Sequence, residues 1–121
     1  MATIFAPPAS PQQVQLTYTL PGSLTVGSNA AAALRPSADF IASSIFAEVK
    51  TAPTGASLIV TVKKDALTVG TVTIPAGQFT ATQSSLSITS ITADSKITVD
   101  VDQVGSTVPG NDLSVMLRGT R

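Results

Sequence analysis

Three aspartates come closest to forming a chemical site. Asp100 and Asp102 alternate within the run KITVDVD, so an extended strand would project both from one face. Asp112 follows in the Gly/Pro-rich stretch VGSTVPGND. A loop folding back would gather oxygen donors suited to calcium. The alternative is a solvated outer face whose charges discourage edge aggregation. No D-x-[DN]-x-[DN]-G loop is present, and no metal is expected. Glycoside hydrolysis needs two carboxylates flanking a cleft, whereas Glu48 is the only glutamate, and it sits beside Lys50 as in a surface pair. The chain has no His, so a serine nucleophile would need a lysine base. Ser57 and Lys63 share a strand face but lie about 20 Å apart along it, too far for a dyad. The scattered glycines match no phosphate-binding motif. No enzyme activity, catalytic residue, cofactor or small-molecule substrate is expected.

Sugar binding is the rival from another class, because sugar sites stack rings on exposed aromatics. The chain has no Trp and one Tyr. Tyr18 alternates with aliphatic residues and is expected in the core. Phe40, Phe46 and Phe79 are expected in the core or at a subunit interface.

Something must position these residues, and composition limits what it is. The 121 residues suit one domain. They are 43% hydrophobic but only 4% aromatic, so Val, Ile, Leu and Ala must fill the core. Seven basic residues balance seven acidic ones. No basic patch is visible, and no nucleic-acid partner is expected. A neutral, weakly charged surface suits a protein that works in an assembly. With no Cys, disulfides are excluded. The N-terminus lacks a basic stretch, and Pro7, Pro8 and Pro11 interrupt it early. No signal peptide, transmembrane segment or membrane partner is expected, and synthesis in the cytoplasm is.

Residues 1–13, MATIFAPPASPQQ, read as an extended arm. Extended, they reach roughly 40 Å. The segment is either a disordered tail or an arm that orders on a neighbouring subunit. In the second case Ile4, Phe5, Pro7, Pro8 and Pro11 are the contact residues, with Ile4 and Phe5 as anchors. Residues 14–121 read as one all-β domain. Val14, Leu16, Tyr18 and Leu20 alternate with polar residues, Pro21-Gly22 signals a turn, and Leu24 and Val26 continue the alternation. Residues 30–35 read as a strand before a turn at 36–39, in preference to a short alanine helix capped by Asn29 and stopped by Pro36. Residues 40–50 form a long strand whose phase shifts at Ile45-Phe46, as a β-bulge or contacts on both faces would cause. Strands follow at 58–63, with Lys64-Asp65 beginning a turn, at 67–74 with Gly70 as a weak point, from Phe79, at 96–102 and at 113–117. Leu86, Ile88 and Ile91 should point inward. Many short strands with Gly/Pro turns and no long helix indicate a β-sandwich or barrel.

The stretches TAPTGASLIVTVKKD (51–65) and KITVDVDQVGSTVPGNDLSVMLR (96–118) resemble a module of tailed-bacteriophage virion proteins. LPGSLTV (20–26) resembles the module's opening strand, and the likeness spans roughly residues 16–118. It departs at 30–34, where relatives often carry aromatics, and at Lys63-Lys64-Asp65-Ala66, where they often read N-K-N-G-T. The resemblance implies a jelly-roll-like antiparallel β-sandwich with an extended N-terminal arm. It implies a structural virion protein of the head, tail fibre or baseplate. The module stands nearly alone here, which favours a capsid decoration (cement) protein on the outer capsid surface. The partner expected from that resemblance is the major capsid protein of the shell, bound by a homotrimer. A tail-fibre or baseplate module recognising host surface carbohydrate is the alternative.

Overall fold

The computed structural model describes residues 12–28, 30 and 32–121. Eight strands follow in order: β1 (Gln13–Ser23), β2 (Phe40–Thr51), β3 (Leu58–Lys64), β4 (Leu67–Ile74), β5 (Thr80–Gln83), β6 (Ser90–Ile91), β7 (Ile97–Gln103) and β8 (Asn111–Thr120). All pairings are antiparallel. One sheet runs β1-β8-β2-β5, with β6 also on β2, and the other runs β4-β3-β7. The two pack as a sandwich, the fold class expected from the alternating pattern. Its inward positions are aliphatic: Leu113, Val115 and Leu117 on β8 face Val60 and Val62 on β3 and Val99 on β7, all essentially inaccessible. Burying each such side chain contributes about 1.5–3 kcal/mol, which explains how a core nearly free of aromatics suffices.

Beside β7, Gly27, Ala30 and Leu34 add isolated contacts to the second sheet. Gly27 bridges Val101, Ala30 N donates to Val99 O at 2.8 Å, and Leu34 bridges Ile97. Seven residues separate Gly27 from Leu34, but only four separate their partners Val101 and Ile97. A continuous ladder cannot absorb that surplus, so the strand expected at 30–35 is reduced to isolated contacts. With these contacts along β7 the second sheet gains a rudimentary fourth member against the five strands of the first, and in the first sheet the first strand lies beside the last.

Three local expectations change. Pro21-Gly22 does not reverse the chain; it lies in β1 where the pairing with β8 shifts between Leu20 and Ser23, and Gly22 has φ +82°. Beyond this bulge Leu24 is buried, whereas Val26 is 61% exposed and leaves the alternation. The bulge of β2 falls between Ala42 and Ser44, earlier than Ile45-Phe46. It moves the inward set from Phe40 and Ala42 to Ile45, Ala47 and Val49. The shift in β4 lies beside Gly70, where that weak point was expected. Ile91 is buried, and Leu86 and Ile88 pack against the core as expected.

The three stretches that carry the phage-module resemblance meet at one end of the sandwich. Gly22 N donates to Asp112 Oδ1 at 2.7 Å, and Leu24 N to Gly110 O at 3.0 Å. Thr54 N donates to Val108 O at 2.9 Å, Thr107 N to Thr54 O at 3.0 Å, and Val108 N to Thr54 Oγ1 at 3.1 Å. These residues hold loops to one another, so their pattern has a structural explanation that needs no ligand.

At the other end, β3 and β4 join through Asp65 and Ala66, both in the left-handed region at φ 49° and 70°. Such two-residue hairpins favour Asn/Asp-Gly because a Cβ is strained there. Asp65 is secured by its carboxylate, which accepts from Lys96 N at 3.0 Å. Ala66 has no such compensation among the described contacts. Ala66→Gly is therefore expected to stabilise the fold by roughly 0.5–1 kcal/mol, read as a higher urea midpoint. A lower midpoint would mean that the turn is not strained.

Candidate interaction surface

The expected arm contacts Ile4, Phe5, Pro7, Pro8 and Pro11 lie outside the described residues. What is described is the arm's root. Gln12 and Arg121 exchange two backbone hydrogen bonds at 3.0 Å, and Gln13 pairs with Thr120. The last two residues of the expected arm are thus part of the ladder, which fixes Gln12 beside the C-terminal end of β8. Beside it is Ile41, Cα partner of Thr120 and 54% exposed. Its exposure follows from its place between inward Phe40 and Ala42, a signal readable from alternation once the strand's inner face is known.

From this root the outer face of the first sheet extends as rows of side chains. One row runs Thr17, Met116, Phe46, Thr82, and the next Thr19, Ser114, Glu48, Thr80. The face is broad and carries few charges. Arg118 places its guanidinium 4.8 Å from the Phe46 ring centroid. That cation–π contact covers part of the ring that a sugar would stack on. Of the other aromatics, Phe40 is core, as is Tyr18, whereas Phe79 is 53% exposed at the opposite end.

The aspartates do not form one cluster. Asp112 serves Gly22, and Asp102 accepts a hydrogen bond from Thr61 Oγ1. Asp100 pairs with Lys63 at 2.7 Å. Asp100 and Thr98 are also not on a solvated face: each is 5% exposed. Their short side chains sit low on β7, between β3 and the 27–34 segment. A depression of about 290 Å³ opens there, with Lys63, Asp65, Ala66, Lys96, Thr98 and Asp100 in its lining. Among the described residues no three acidic side chains are placed to hold a metal ion. Glu48 and Lys50 both face solvent on β2.

Tyr18 ties the two sheets together. Its hydroxyl donates to Ile97 O and accepts from Leu34 N at 3.0 Å, at the bridge where residues 27–34 meet β7. Burial pushes this hydroxyl above its ordinary value of 10.0, and the Leu34 N–H acts against that rise. Lys63 is likewise held above its ordinary 10.5, first by the hydrogen bond to Asp100 and then by that carboxylate's charge. Raised folded-state values stabilise the fold fully below the unfolded values and lose that contribution as pH rises through the folded ones. Stability should therefore fall as pH climbs past 10.0. Leu34 N and Ile97 O also bond each other at 2.9 Å, so removing the hydroxyl strands neither group. Tyr18→Phe should cost only about 1 kcal/mol at neutral pH and flatten the alkaline decline. Denaturant midpoints across that pH range test this, and an unchanged decline would rule out Tyr18 as a contributor.

No protein-family profile and no curated protein matches the sequence.

Proposed function

We propose that the chain is a structural protein of a bacteriophage particle, a capsid decoration protein that binds and stabilises the mature shell. The observation carrying this reading is the rooted start of β1. Gln12 is held by Arg121 beside exposed Ile41, and the eleven residues before it in the sequence include Ile4 and Phe5. The resemblance of the loop-forming stretches to phage virion modules, and the broad, weakly charged outer face, support it further.

In this reading the action is mechanical, not enzymatic. A homotrimer sits on the outer capsid surface and contacts the major capsid protein. Binding the expanded lattice in preference to its precursor stabilises it by mass action. Repetition over the shell converts weak contacts into avidity. Neither a cofactor nor a nucleic acid takes part, and synthesis occurs in the bacterial cytoplasm before assembly.

Co-sedimentation with undecorated shells, run beside intact host cells, tests the proposal. Saturable pelleting with shells is the expected result. Pelleting with cells alone would overturn it in favour of a tail-fibre or baseplate module that recognises the host surface.

A further inference from the structure

The first sheet ends in an open edge. Because Gln12 and Arg121 form a mutually bonded pair, alternation makes Val14–Gly119, Leu16–Leu117, Tyr18–Val115 and Leu20–Leu113 the other bonded pairs. The N–H and C=O groups of Gln13, Gln15, Thr17 and Thr19 therefore point away from β8. Among the described residues no backbone group meets them. The β4 and β7 edges are covered, and β5, the other outermost strand of this sheet, is only four residues long. Ser87 N donates to Val69 O and Gln83 Nε2 to Thr71 O along β4, and residues 27–34 lie along β7. An exposed edge is ordinarily guarded by lysine or another charge, yet no charged side chain precedes Arg35. Val14, Leu16 and Leu20, the inward side chains of this edge, are only half-buried.

We infer that the β1 edge receives residues 2–6 of a neighbouring copy as an added strand, an inference that rests on the trimer of the proposed function. Ala2, Thr3, Ile4, Phe5 and Ala6 all carry an N–H, whereas Pro7, Pro8 and Pro11 carry none and cannot extend a ladder. The five residues 7–11 then form a spacer of about 15 Å from the fixed root at Gln12. Ile4 and Phe5, being consecutive, face opposite sides of an added strand. One completes the cover over Val14, Leu16 and Leu20, and the other lies on the Gln/Thr face. The segment carries no charged side chain to oppose pairing with the uncharged edge. Passed head to tail, the same contact closes into a ring.

The test uses the full chain without shells. Sedimentation should show a trimer, and amide exchange at Gln13, Gln15, Thr17 and Thr19 should be at least about a hundredfold slower than in a chain lacking residues 1–11. Thr17→Pro removes an outward N–H and no bond to β8, so it should give a folded monomer with its β1–β8 amides still protected. If that variant fails to fold, the exchange comparison decides alone. Fast exchange in the full chain, or a trimer that survives Thr17→Pro, would overturn the inference. So would slow exchange in a chain monomeric at every concentration, since the arm would then cover its own edge. Shell binding by a chain with fast edge amides would sink this inference and leave decoration standing. Protected edge amides in a chain that ignores shells would do the reverse.

Discussion

Gly105→Ala is expected to destabilise the fold by about 3 kcal/mol, enough to consume a large share of a small domain's stability. A Cβ at this position would lie 1.9 Å from Val108 O, 2.7 Å from Thr54 N and 2.8 Å from Thr54 O. All three obstacles are backbone atoms, so no side-chain rotation relieves the clash. Relief requires reshaping the 104–110 loop, which holds both Gly105 and Val108, and moving it off the 52–57 loop, which breaks the Thr54–Val108 bridge and the Thr107 N to Thr54 O bond. Gly55 lies in the same junction, where a Cβ would fall 2.3 Å from Ser106 Oγ and 2.7 Å from Thr107 Oγ1. Gly27 is the control, because a Cβ there meets nothing within 4 Å. Gly27→Ala should be neutral or slightly stabilising through the unfolded chain. Urea denaturation of the two variants checks the pair. A cost below about 1 kcal/mol for Gly105→Ala would show that the loops are not interlocked as described.

Removing residues 1–11 should leave the sandwich folded, with a melting temperature no lower than that of the monomeric Thr17→Pro chain, while weakening shell binding by at least about a hundredfold, or roughly 2.7 kcal/mol. The boundary matters. A cut after residue 13 would also remove the Gln12–Arg121 and Gln13–Thr120 pairs and mix a folding effect with a binding effect. A cut after residue 11 keeps the whole ladder. The loss arises because a monomer engages the lattice once, whereas a linked assembly engages it several times. Shell co-sedimentation over a range of protein concentrations, beside a melting curve, measures both quantities. Equal affinity of the shortened and full chains would eliminate the clasp. A melting temperature well below that of the Thr17→Pro chain would mean that the arm belongs to the fold.

Much of the architecture was legible from alternation. The runs Leu58-Ile59-Val60-Thr61-Val62, Ile97-Thr98-Val99-Asp100-Val101 and Leu113-Ser114-Val115-Met116-Leu117 each place aliphatic side chains on one face at a period of two. In every case that face became the core. Tyr18 followed the same rule, and its burial was expected from its aliphatic neighbours. The alternation that starts at Val14 marked the beginning of β1 to within one residue, since the strand opens at Gln13.

Tertiary structure decided what depends on pairing between distant segments. Pro21-Gly22 is a turn signal locally, yet β8 continues to pair beyond it, so the same residues make a bulge. Residues 30–34 have strand-like surroundings, but the surplus against β7 is a count across two segments and cannot be read from either alone. Asp100 alternates outward as expected, but how deep an outward carboxylate sits depends on the strands beside it. Here β3 and the 27–34 segment bury it against Lys63. The open edge of β1 is likewise a property of strand order. Sequence determined that residues 13–20 form an amphipathic, uncharged strand, because side-chain period is local. Only the fold determined that this strand lies outermost, because which backbone groups remain unpaired depends on which strand comes to lie beside it.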